Sequence, residues 1–259
     1  MSTPPRFTGS ARPSDIDGVI AALEAVVDWS WRAESRLGFF CQVYLSTTRA
    51  VKAGIAAGEF EDGPRLAHFD VIFALRYLDA FSAFVDGRAV PASWSCSFEA
   101  DRDHELLVVQ HVLLGMNAHI NLDLGVAAAE VAPGPAIAGL RGDFDRVNEL
   151  LARMIDRVEL ALGVASPALR IAGRLAGDRD REAIDWSIRA ARRAAWESAT
   201  NLADKTGDQR TASIDALDRR VARLGELVVG DRLSRAATAP LRWVERRRPR
   251  EVIDALRQI

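Results

Sequence analysis

The chain of 259 residues is short of several things at once. It has 2 cysteines, 4 histidines, 2 tyrosines and 3 methionines, and its arginines far outnumber its lysines. Cys41 and Cys96 lack the close spacing of metal or redox motifs, so they read as free thiols of a reducing compartment and not as a disulfide framework. No apolar run reaches the length of about 18 residues that marks a bilayer span. Met1 to Pro13 lacks the hydrophobic stretch of a signal peptide. A cytoplasmic location is the expectation. A dominant charge is missing too: 34 Lys and Arg against 36 Asp and Glu leave −2, without the basic excess of a general nucleic-acid binder. Also absent are the glycine-rich phosphate loop, His-Glu-x-x-His, the Gly-x-Ser-x-Gly elbow and the paired Glu-x-x-His of diiron bundles.

Strand-like alternation is equally lacking, and nearly every segment carries a helical period. Ser14-Asp15 offers an N-cap to a helix bearing Val19, Leu23 and Val26. A second helix runs from Leu37 to the Gly58–Gly63 loop. A third, from Pro64 to Asp86, is apolar on most sides and is therefore expected to be buried. A motif helix follows over 101–131 and ends at Pro133-Gly134-Pro135. Asp143 is placed to cap a helix reaching Leu162, and two long helices meet at Thr206-Gly207. The expected fold is all-α, a single-domain bundle of about eight or nine helices. Residues 1–13 form a flexible N-terminus, 14–207 the bundle, and 208–259 a helical appendage packed on the same domain.

The motif helix concentrates polar groups in an apolar setting: Gln110, His111, Asn117, His119, Asn121 and Asp123 fall within fifteen residues. Polar groups buried there cost free energy unless paired. With His111 at zero, His119 lies near about 80° and Asp123 near about 120°, on one side of an ideal helix. Gln110, Asn117 and Asn121 form a second stripe. His119 and Asp123, four residues apart, suit a His–carboxylate pair or two metal ligands. His111 lies about 12 Å from His119 along the axis, too far to share one ion unless Gly115 kinks the helix.

The third helix supplies His68, Asp70, Tyr77, Asp79 and Asp86. Asp79 is the candidate to orient His119, and Tyr77 is a candidate proton donor or core residue. Trp186, Arg189 and Arg193 share a face, where arginine beside tryptophan suits an anionic substrate or a snorkelling core edge.

The run His111-x-x-x-Gly115-Met116-Asn117-Ala118-His119-Ile120-Asn121-x-Asp123-Leu124 resembles a mainly actinobacterial family, domain of unknown function 5995. The likeness extends to Asp70-Val71-Ile72-Phe73-Ala74, Tyr77-Leu78-Asp79-Ala80, Pro91-Ala92-Ser93-Trp94 and Asp143-Phe144-x-x-Val147-Asn148. It implies that the motif helix is the family's signature, which favours a shared site, and it supplies no reaction.

Three functions are open at this point. The first is a small-molecule enzyme using general acid–base chemistry. In it His119 is the acid/base, Asp123 or Asp79 orients it with His111 nearby, and Asn117, Asn121, Tyr77, Arg189 and Trp186 bind substrate. The second is a hydrolase or oxygenase using a divalent metal, Zn or Fe, on His119, Asp123 and a carboxylate of the third helix, with or without His111. The third is a non-catalytic binding or scaffold protein whose polar groups fix the bundle's register. The expected partners are a small-molecule ligand and a second copy in a homodimer, with no nucleic acid and no membrane span.

Overall fold

The computed structural model describes residues 3–166, 179–231, 235, 239–241, 245 and 248–259. It is 80% helical and, among the described residues, has no strand. The chain opens with α1 (Ile16–Ala33), α2 (Leu37–Ala56) and α3 (Gly63–Val85). The side chain of Asp15 caps α1 by accepting from Gly18 N at 2.7 Å, and Asp62 caps α3 through Arg65 N at 2.9 Å. Each satisfies a backbone donor that a helix start leaves without a partner. A short helix, α4 (Ala92–Glu99), is followed by α5 (Val108–Ala118). A π-helical turn over His119–Asp123 joins α5 to α6 (Leu124–Val131). Then come α7 (Ile137–Ala165), α8 (Arg179–Ala203), α9 (Gly207–Val229) and α10 (Pro249–Leu256).

The motif helix begins later than its sequence suggests, at Val108 and not at residue 101. The physical reason is local. Asp103 Oδ1 accepts from Glu105 N at 2.9 Å, a side-chain bond that competes with helical pairing. Gln110 Oε1 then accepts from Leu107 N at 2.9 Å and holds the new helix start. Asp143 also differs from expectation. It lies inside α7, and its carboxylate instead ties down the loop before α3.

Among the described residues two large apolar cores stand beside a small cluster of Ala100, Leu106 and Leu114. One gathers α1, α2, α3, α4, α5 and α10, with Val26, Phe39, Tyr77, Phe81, Trp94 and Ile253 among its buried members. The other gathers α6, α7, α8 and α9 with the loop end of α2 and α3. The π turn carries the motif helix from the first core, which holds Val112 and Ala118, into the second, which holds Leu122 and Leu124. Residues 208–259 contribute to both, through Leu217 and Val221 of α9 and Val252 and Ile253 of α10. The continuous stretch Val108–Val131 is, among the described residues, the one helix long and apolar enough to cross a membrane. Most of it is buried against neighbouring helices, as a core helix would be.

Close packing fixes α5. A Cβ on Gly115 would lie 2.3 Å from Phe40 Cγ, so glycine is what lets α2 approach this helix.

Candidate functional site

At the π turn the backbone changes from α-helical to i→i+5 pairing over five residues, His119–Asp123, and these include the His–Asp pair of the motif. Such turns inside α-helices occur often at functional sites. The imidazole of His119 is buried in a box of rings. Phe73 of α3 stacks on it with centroids 3.7 Å apart and planes 12° from parallel. Tyr44 of α2 meets it edge-on at 4.2 Å. Phe40 stands at 5.5 Å, Trp94 at 6.2 Å and Tyr77 at 6.5 Å.

Neither ring nitrogen of His119 has a hydrogen-bond partner. The nearest carboxylate oxygen, Asp123 Oδ2, is 3.6 Å from Nδ1, outside hydrogen-bond range. Burial holds the imidazole pKa below its ordinary value, Asp123 acts against that, and the charges of Arg192 and Arg76 add to it. The ring is therefore neutral at pH 7, with its polar atoms unengaged.

Asp123 is the reverse. Only 1% of its side chain is exposed, and both oxygens are taken. Oδ1 accepts from Arg76 Nε at 3.0 Å and Oδ2 from Trp94 Nε1 at 2.9 Å. A carboxylate already neutralised by a guanidinium is a poor metal ligand. Among the described residues, no three His, Cys, Asp or Glu side chains converge as a cation would require. His119 and Asp123 alone thus make an incomplete donor set for Zn or Fe.

The other sequence candidates scatter. Asp79, expected beside His119, lies on the exposed side of α3 and pairs with Arg12 of the N-terminal segment. Its place at the site is taken by Arg76, one turn earlier. His111 is buried but faces a different crevice, lined by Arg36, Leu37, Phe40, Tyr77, Phe98 and Asp101, with room for about one water. Its Nε2 has no partner, and burial beside Arg36 pushes its pKa down to about 3. Phe40 and Tyr77 line this crevice and also touch His119, so they form the wall between the two histidines. Tyr77 is buried, with its hydroxyl beside the Cys41 thiol.

The second polar stripe docks α9. Gln110 Nε2 donates to the Val228 carbonyl at 2.7 Å and Asn117 Nδ2 to the Val221 carbonyl at 2.9 Å. Asn121 Nδ2 in turn donates to Asn117 Oδ1 at 3.0 Å. Arg189 is exposed on α8. The side chain of Trp186 lies outside the described residues.

Several residues that matter here were not among the candidates. Arg76, Trp94, Phe40 and Phe73 enclose the pair. Arg192 is buried on α8, donates to Asn148 Oδ1 and to the Phe144 carbonyl, and lies 4.7 Å over the Phe144 ring. Burial lowers its pKa to about 10, with Asp145 opposing. Tyr44, which touches His119, and Thr48 and Asp70 hold further buried polar atoms without a hydrogen bond of ordinary geometry. Asp70 stands among the polar groups that the sequence shows on the third helix, and Arg76 carries the same signal, a charge on a mostly apolar helix. None marks Phe40 or Phe73, because aromatic residues in a buried helix read as core.

A family model described as a family of unknown function (DUF5995) matches residues 16–230, spanning α1 to the end of α9. No curated protein and no solved structure matches the chain.

Proposed function

The chain belongs to the DUF5995 family, and we propose that it is a small-molecule enzyme in which His119 performs general acid–base chemistry. The observation that carries this reading is the buried imidazole with both nitrogens unpartnered. A histidine kept for structure is ordinarily hydrogen-bonded, because an unpaired buried polar group costs about 1–3 kcal/mol. A histidine kept for chemistry must leave a nitrogen for substrate. Asp123, locked by Arg76 and Trp94, lies within small movement of Nδ1 and would stabilise the imidazolium formed when Nε2 takes a proton. The surrounding rings favour a small, flat substrate, and Arg192 and Arg76 favour one with an acidic or electron-rich group. The thiols fit a reducing, cytoplasmic setting: Cys41 is buried, with its pKa raised to about 12, and Cys96 is free.

A panel of small aromatic carboxylic acids and their esters tests this by thermal shift and by NMR of the His119 ring. At least one compound is expected to raise the melting temperature and move the ring signals. The variant His119→Asn should weaken that compound at least tenfold while keeping the fold. If no compound in the panel moves the ring and the variant loses more than about 2 kcal/mol of stability, His119 is a structural residue.

The second reading, a scaffold whose polar groups fix register, has its own support. Gln110, Asn117 and Asn121 all have protein partners that hold α9. It accounts for that stripe but not for His119.

A further inference from the structure

Three of the buried side chains without hydrogen-bond partners continue the His119 site along the groove between α2 and α3. Tyr44 OH, Thr48 Oγ1 and Asp70 Oδ2 are all buried and make no hydrogen bond of ordinary geometry, while the Tyr44 and Thr48 hydroxyls lie close enough to influence one another. Tyr44 touches the imidazole, at 4.2 Å between centroids. Thr48 is one turn further along α2. Asp70 is one turn before Phe73, which stacks on His119, and its charge acts on Tyr44. Since α2 and α3 are joined by the short 57–62 loop, moving up α2 from Tyr44 means moving back along α3 from Phe73, so Thr48 and Asp70 occupy the same next layer. Asp70 keeps 7% of its surface exposed, against 4% for His119, and its Oδ2 is as buried as the two ring nitrogens.

We infer that Asp70 is the residue through which His119 exchanges protons with solvent, by way of the Tyr44 and Thr48 hydroxyls and internal water bridging them. This rests on the reading of His119 as an acid/base. The alternatives around the ring are closed. Asp123 is committed to Arg76 and Trp94, Arg76 and Arg192 are cations that do not give up protons in this range, and the Tyr77 hydroxyl faces Cys41. That leaves Tyr44, and beyond it Asp70. In the transfer, the Asp70 carboxylic acid gives its proton to the bridging oxygen nearest it. Each hydroxyl or water along the file passes on one proton as it receives one, and the last delivers to an imidazole nitrogen. The net change is one proton from Asp70 to His119, with the relaying oxygens unchanged and Asp70 reprotonated from bulk water. Burial raises the Asp70 pKa to about 7, where a carboxyl both gives and takes protons near neutral pH. Asp70 acts through Tyr44 and is a positioning residue, not one that touches substrate.

The test is the rate at which the His119 ring N–H exchanges with water, measured by NMR on protein labelled with ¹⁵N-histidine, with no substrate needed. In the wild type the rate should show an inflection near about pH 7. Asp70→Asn should slow exchange at least tenfold at pH 7 and abolish the inflection, and Asp70→Glu should restore part of both. Tyr44→Phe should slow exchange while leaving the Asp70 titration in place. An Asp70→Asn protein that folds and exchanges at the wild-type rate overturns the relay. So does a wild-type rate that simply follows hydroxide, which decides the matter even where the variant does not fold. A relay that fails here leaves ligand binding at His119 to be decided by the compound panel, and a panel without ligands leaves the exchange result intact.

Discussion

Two buried carboxylates on neighbouring elements are treated in opposite ways. Asp143 of α7 is fully buried and accepts from Glu61 N at 2.7 Å, Asp62 N at 3.1 Å and Arg65 Nη2 at 3.2 Å. Asp70 of α3 is nearly as buried, and its Oδ2 accepts from nothing. The same contrast separates Asp123, bonded through both oxygens, from His119 beside it, bonded through neither nitrogen. The difference separates jobs. Where a polar side chain holds the fold, folding supplies its partners. On the proposed reading, the missing participant at His119 and Asp70 is a substrate or a proton.

The strongest way to break this comparison is Asp143→Ala. It strands the loop donors at residues 61 and 62 and the Arg65 guanidinium, and a loss of about 3–5 kcal/mol in urea unfolding is expected. A loss below about 1 kcal/mol would show that water satisfies the loop and that Asp143 is not structural. Next in size is Gly115→Ala, which drives a methyl into Phe40. It should cost about 1–3 kcal/mol and disturb the ring that backs His119, visible as shifts in the His119 NMR signals.

The third prediction concerns pH. An unfolded histidine binds a proton near its ordinary value of 6.5, whereas folded His111 binds one only near about 3. Between these values the unfolded state holds more protons, so stability falls as pH falls through that window. His111→Phe should flatten this acid limb in melting temperatures taken from pH 7 to pH 4, and an unchanged slope would assign the limb to other groups. The smallest effect is the most discriminating. His119→Phe replaces an unpaired ring with an apolar one inside an aromatic box, and stability should stay within about 1 kcal/mol of wild type. A larger loss, measured by the same urea titration, would return His119 to the structural class.

Much of the fold is legible in the sequence because helical period and caps are local. Asp15 announces α1, and the apolar stretch after Pro64 announces a buried α3, which the structure bounds at Gly63 and Val85. The start of α5 is misread because Leu106, Leu107 and Val108 continue an apolar pattern while Asp103 breaks the backbone through a single side-chain bond. The site is half legible. His119 and Asp123 stand out as polar groups at helical spacing. The stripe of Gln110, Asn117 and Asn121 is correctly grouped by the wheel, but its partner α9 comes from over a hundred residues away, beyond any local pattern. Asp79 is misplaced for the same reason, since Arg12 reaches it from the N-terminal segment. The π turn is invisible to a wheel that assumes 100° for every residue.

That turn also works as a phase setting. The face of α5 is fixed by Gly115 against Phe40, and the face of α6 by Gly125, whose absent Cβ would lie 2.8 Å from the Ala195 carbonyl. An uninterrupted α-helix would hold these two faces at one rigid angular offset. The extra residue per turn at His119–Asp123 lets each half of the rod be clocked to its own core. The position of the His–Asp pair is thus where the two clocks are reconciled. Removing one residue there would turn every side chain downstream by about 100°.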